Sequence, residues 1–329
     1  MVGRMIEETT ILSVEKLEDF DDEYVYDIGM DSEDNHYFFA NDILVHNSCY
    51  FSAYESFKQN NIDFDFTPEN TIELYDGIVD IVNDSFAGFM DEHFNTGLEQ
   101  GAIIKSVREV VATSGLFVAK KYYGLLMIDK DGKRVDINGK PGKLKVTGLS
   151  IVRSDTPKNI QKFLYDLLMM VLTDKSKDEC SNFVREFYMK FDKLDPWLKG
   201  TPKTIKDLTK NVLALANTSA GFKARISGHA KASINWNRMV VANNDKQSPL
   251  ITNGTRIIVC KLKNYEIDSI AFPIDIKDIP DWFKVLPFDE DDMVESILRK
   301  KLDTIFGCLD WGLGKCANVV SKAMKLFNY

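Results

Sequence analysis

The chain changes character between residues 47 and 48, and no single core can absorb both sides of that break. Residues 1–47 hold 13 Asp/Glu and 2 Lys/Arg, a net of −11, whereas the remainder holds 37 acids and 39 bases, a net of +2. The formal total of −9 therefore averages two chemically different pieces. Within the acidic piece, residues 24–28 (YVYDI) form a strand candidate and 31–35 (DSEDN) a turn. Residues 37–40 (YFFA) and 43–45 (ILV) are further short apolar strands. Such a piece is too small to bury a core of its own, so it needs a partner.

The full 329 residues are enough for two or three domains. With 44% hydrophobic and 28% charged residues, the composition is that of a soluble globular protein. The start, MVGRMIEETT, has no basic lead followed by an apolar run, which excludes a secretory signal. Apolar runs such as 163–172 (FLYDLLMMVL) are too short to span a bilayer, so no membrane partner is expected. Cysteines at 49, 180, 260, 308 and 316 make no CxxC pair, and the four histidines are dispersed. That pattern excludes a zinc framework or a disulfide scaffold and fits a reducing cytoplasm.

Beyond residue 48 the pattern predicts a mixed fold. Residues 49–53 read as a short strand, and Thr67-Pro68-Glu69 starts a helix that runs to about Phe94. Strand-like runs fill 102–128, and Asp131-Gly132 closes a hairpin between 124–128 and 134–137. Helices are expected at about 157–173, 177–192 and 202–217, strands at 224–240 and 255–272, and a last helix at 289–306. The expected class is α+β: a small all-β piece (1–47), a mixed α/β part (48–150) and a mainly helical part with a strand-rich patch (151–329).

The string VYDIGMDSEDNHYFFANDILVHNS, ending at Ser48, resembles the C-terminal end of inteins. It carries the penultimate His46, the terminal Asn47, the following hydroxyl residue Ser48, the run from His36 to Asn41, and Asp27 where that family places an Asp. The resemblance implies a HINT-type all-β fragment. It implies that Ser48 Oγ accepts an upstream acyl group as an ester and that the Asn47 side-chain amide then attacks its own backbone carbonyl, breaking the Asn47–Ser48 bond. His46 and His36 would supply acid–base help to the leaving amine, and Asp27 would orient the transfer. Because the chain starts 47 residues before the junction, the expectation is the C-terminal fragment of a split intein, with no cofactor needed for splicing. The acidic segment is then suited to a basic N-terminal partner. The competing reading is that acidity keeps an unfolded fragment soluble.

Ser48-Cys49-Tyr50-Phe51-Ser52 looks like the second half of the YGDTDS palm motif of family B DNA polymerases, and residues 48–329 resemble the palm and thumb of the T-even-type phage enzymes. The resemblance places Arg108-Glu109 on a palm strand, with Glu109 near a two-metal Mg2+ site whose other carboxylates lie on a partner chain. It implies that Lys120, Lys121 and Tyr123 (KKYY), Arg153 in KLKVTGLSIVRSDTPK, and Lys231 and Arg238 in GHAKASINWNR contact DNA. It implies a C-terminal clamp-binding peptide at Leu326, Phe327 and Tyr329. The implied partners are an N-terminal polymerase half, primer–template DNA, dNTPs and a sliding clamp, in the cytoplasm of a phage-infected bacterium.

Charge patterning agrees. Residues 117–146 hold 8 Lys/Arg against 3 Asp, and 199–238 hold 8 Lys/Arg against Asp207 alone, with Tyr122, Tyr123, Phe222 and Trp236 interleaved. Basic stretches with aromatics suit phosphate tracking, although each taken alone also fits a solvated face. The run 289–292 (DEDD) is expected to fill the first turn of a helix. Asp129–Gly132 is expected to be a turn, and Cys308 and Cys316 ordinary packing residues.

Overall fold

The computed structural model describes residues 38–40, 43–45, 50–119, 121–138, 141–216 and 226–313, with the backbone alone for 38–40, 43–45 and Glu55. It is a mixed α+β structure. Cα packing divides the chain between Val111 and Ala112. No helix among the described residues is long and apolar enough to cross a membrane.

In the first unit, β1 (Phe38–Ala40) and β2 (Ile43–Val45) pair antiparallel, Phe38 opposite Val45 and Ala40 opposite Ile43. These are the expected strand pieces. The strand expected at 49–53 does not form over its described part: Tyr50 to Ser52 carry no strand, and Ala53 opens α1 (Ala53–Gln59). The reason is local. Ser52 Oγ accepts from the Tyr54 N–H at 3.3 Å, and a capping hydroxyl competes with a ladder that has no partner here. As expected, α2 (Pro68–Phe94) starts on a Thr67 cap, whose hydroxyl accepts from Asn70 N–H at 3.2 Å, with Pro at the first position. It ends at Asn95, whose φ of 55° is a left-handed stop. A short helix, α3 (Leu98–Gly101), follows.

The second unit contains two cores. The first is a sheet backed by helices. β3 (Val110–Ala119, which crosses the unit boundary) pairs with β4 (Tyr122–Lys130). On its other side β4 pairs with β5 (Lys133–Arg134) and β6 (Lys143–Thr147). Asp131-Gly132 makes the expected turn, with φ of 51° and 73° and the Asp129 carboxylate accepting from the Gly132 N–H at 3.0 Å. The ladder it closes is short, however, Asp129-Lys130 against Lys133-Arg134, and 124–127 pair with β6 rather than with 134–137. Central β4 is buried from Gly124 to Asp129 on both faces. A 3₁₀ turn (Ser150–Val152) leads to α4 (Lys158–Leu172), which buries Phe163, Leu164, Leu167 and Leu168 against the sheet and α5 (Lys177–Asp192).

The second core begins after a 3₁₀ turn (Pro196–Lys199) with β7 (Thr201–Thr204), α6 (Leu208–Ala216) and α7 (Gly228–Ala242). It continues with β8 (Arg256–Lys261), β9 (Ser269–Pro273) and α8 (Asp281–Lys284). Two expectations fail here. The helix expected from 202 starts at Leu208, because Thr201–Thr204 instead pairs with β8. The strands expected at 224–240 give way, over the described residues, to helix α7. Small side chains at Ala230, Ala232 and Ser233 are fully buried against the sheet, and Trp236 donates to the Pro249 carbonyl at 2.9 Å. Tertiary packing therefore overrides the β-leaning texture of Ile234, Trp236 and Val240.

The final helix runs as α9 (Glu290–Val294), a π-helical turn (Glu295–Arg299) and α10 (Lys300–Phe306), returning Ile297, Leu302 and Phe306 to the first core. Asp289 caps it, accepting from Asp292 N–H at 3.1 Å, while Glu290, Asp291 and Asp292 fill the first turn as expected. Lys199 is buried; its ammonium donates to the Asp192 carbonyl at 2.7 Å and pairs with Glu290, tying α5 to α9. Cys308, expected to pack, is exposed, while Cys180 and Cys260 are buried and burial raises both thiols.

Candidate nucleic-acid interface

The tip joining β3 and β4 is Lys120-Lys121, of which Lys121 is described. Lys121 adopts a left-handed φ of 65° and is exposed, as is Tyr122. Tyr123 is half-buried, its ring 5.7 Å from that of Phe117. Lys121 is exposed because it lies in the turn, and Tyr122 is more exposed than Tyr123 because side chains alternate along β4. The tip rests on Gly148. A Cβ there would lie 2.2 Å from the Lys121 carbonyl oxygen, and the φ of 69° further restricts the position to glycine.

Four residues past that glycine, the 3₁₀ turn ends and Arg153 turns outward. Its Nε and Nη2 donate to Asp155 at 3.2 and 3.4 Å. Asp155 also accepts from Lys203 of β7 at 3.0 Å. Next to it, the Lys301 ammonium of α10 donates to Thr156 Oγ1 at 3.0 Å. Chain segments distant in sequence thus bring Arg153, Lys203 and Lys301 around one carboxylate.

The electrostatics follow from that geometry. Asp155 is held down at about 2, first by the Arg153 hydrogen bond and then, against its burial, by Lys203. The Arg153 guanidinium is held more basic than usual, chiefly by Asp155, with Tyr122 also within electrostatic reach. Lys301 is pulled below the usual lysine range by burial and by its neighbours Arg153 and Lys203, and Asp155 opposes this. His229, near the start of α7, is lowered by burial and by Lys203. Two of these cations, Lys203 and Lys301, and His229 were not singled out from the sequence. Lys203 sits in the one-sided basic stretch 199–238, but Lys301 follows an acidic helix start and carries no local signal.

Lys231 and Arg238 are both exposed on α7. Seven residues apart, they share one helix face about 10 Å apart along the axis. Neither pairs with a carboxylate among the described residues. Arg108 and Glu109 were expected on a strand and instead lead into β3 at Val110. Arg108 is engaged within its own unit, its Nη2 3.3 Å from Asp76 of α2, and Glu109 is exposed. Among the described residues, no three His, Cys, Asp or Glu side chains converge as a metal site. A single carboxylate such as Glu109 does not by itself fit a two-metal centre. Asp27, His36, His46, Asn47, Ser48, Lys120, Leu326, Phe327 and Tyr329 lie outside the described residues.

No protein-family model and no curated protein matches the chain.

Proposed function

We propose that the chain is the C-terminal part of a DNA-directed DNA polymerase, made as a precursor whose first 47 residues are a split-intein fragment. The observation that carries the DNA reading is the gathering of Arg153, Lys203 and Lys301 around Asp155 and Thr156, with Arg153 within electrostatic reach of Tyr122 in the KKYY tip. Cations drawn from separate segments to one surface fit a polyanionic backbone better than any one basic run does. Lys121 and Tyr122 would meet the primer–template, and Lys231 and Arg238 would follow the duplex on α7. Two Mg2+ ions would supply Lewis-acid chemistry for nucleotide addition when bound, on carboxylates of the partner chain, with Glu109 nearby.

The splicing reading is supported by the sequence run 24–48. Ser48 Oγ takes the upstream acyl group as an ester. The Asn47 amide nitrogen then closes on its own carbonyl, releasing the Ser48 amine, which takes a proton from a neighbouring acid such as His46. The freed amine finally attacks the ester, leaving an amide bond.

Mixing the chain with a companion polypeptide ending in YGDTD and an N-terminal intein fragment should give a ligated band on a denaturing gel. Asn47→Ala should block release of the intein fragment. Primer extension should require both chains. Ligation that survives Ser48→Ala, or nucleotide incorporation by this chain alone, sinks the proposal. A second reading, in which the intein is inactive and the halves assemble without a covalent bond, is favoured by one observation. Residues 59–104 hold ten acids and no Lys or Arg, and they expose Ile81, Phe89, Leu98 and Ile103. Co-elution of the two chains when both Asn47 and Ser48 are alanine would favour it.

A further inference from the structure

We propose that Asp155 is a built-in stand-in for a DNA phosphate, occupying a phosphodiester site formed by Arg153, Lys203 and Lys301 until the duplex displaces it. This rests on the polymerase reading. The carboxylate presents its two oxygens to a guanidinium edge and an ammonium, the same donors that a phosphate oxygen pair takes. Two cations, Arg153 and Lys203, pair with the one carboxylate, and Lys301 stands beside it on Thr156, so the cluster keeps an excess of positive charge for an incoming anion. The Arg153 side chain is 55% exposed and Lys203 36%, whereas Asp155 is 24% exposed, so the donors can be reached from outside without unfolding either core. Asp155 lies in the loop between the 3₁₀ turn and α4, where it can swing away without moving the buried Ile151 or Ile160.

Exchange has a physical rationale. An unoccupied row of cations costs self-repulsion, and a tethered carboxylate removes it. A duplex phosphate offers the same donors an equivalent pair of anionic oxygens, and binding it releases counterions condensed on the DNA, which tips the exchange. Asp155 thus lowers DNA affinity while keeping the site assembled.

The test is binding of a fluorescent primer–template duplex to the full chain, read by anisotropy over a salt series, with thermal melts of every variant. Asp155→Asn should tighten binding by about three- to tenfold with the salt slope retained. Lys203→Gln and Lys301→Gln should each weaken it and lower the slope by about one phosphate. If Asp155→Asn fails to fold, the slope of Lys301→Gln decides. Unchanged affinity in Asp155→Asn together with an unchanged slope in Lys301→Gln overturns the proposal while leaving the polymerase reading intact. Absence of any duplex binding by the wild-type chain at low salt overturns both. Binding of a nucleoside triphosphate but no duplex at these residues also overturns the assignment.

Discussion

The residues before and after 111 solve the same problem in opposite ways. Of the 27 residues of α2, only Phe86 is buried, and Ile81 and Phe89 stay 71% and 50% exposed. From 112 on, α4 alone buries Ile160, Phe163, Leu164, Leu167, Leu168 and Leu172. Both helices carry enough apolar residues for a core. The difference is that α4 meets a sheet and two further helical segments, while residues 59–104, which contain α2, hold ten acids and no Lys or Arg. Apolar content therefore does not determine which region is self-sufficient; the presence of a second layer does.

The sharpest way to break that comparison is a pair of truncations. Leu167→Ala should destabilise the chain by about 2–5 kcal/mol, through lost burial and the cavity left behind. Ile81→Ala should change stability by less than about 0.5 kcal/mol. Urea melts of the two variants check this, and comparable losses would show that α2 is more fully packed than its exposure indicates. Gly148→Ala should come next, at about 1–3 kcal/mol, since it forces a side chain into a left-handed position against the Lys121 carbonyl. Its loss of duplex affinity should exceed that of Tyr123→Phe, measured by the same anisotropy assay.

Glu290→Ala should cost about 1–3 kcal/mol, because the Lys199 ammonium, 1% exposed, keeps only the Asp192 carbonyl. The figure stays below that of a fully buried pair because Glu290 is 45% exposed. The smallest effect concerns acid. Asp155 drops from an ordinary 3.8 to about 2 on folding, so its contribution is complete above the unfolded value. That contribution fades as pH falls from about 5 toward 2. Comparing melts at pH 6 and pH 3, wild type should lose more stability than Asp155→Asn; equal losses would show that the ion cluster adds nothing to the fold.

Local chemistry made much of this fold legible in advance. Thr67-Pro68, Asp131-Gly132 and Asp289 mark boundaries with their own side chains and dihedrals, and each boundary stands where the sequence placed it. What failed depended on distant partners. Thr201–Thr204 is a strand because β8 lies beside it, and α7 is a helix because its alanines fit a sheet that forms later in the chain. The candidate site divides in the same way. Lys121 and Arg153 belong to recognisable strings, whereas Lys301 joins them only through a helix that returns from the chain's end.

Gly148 makes the interface a matter of ruling as much as of charge. With no side chain at 148, the Lys121 carbonyl can approach the backbone there more closely than any other residue would allow, two positions before the 150–152 turn. The spacing between the tip backbone and the turn that carries Arg153 then depends on the residue at 148 and not on the cations themselves. Residue 121 can then be lengthened or shortened, as in Lys121→Arg, to change reach alone, and position 148 becomes the place where any relative of this chain would have to recalibrate its grip.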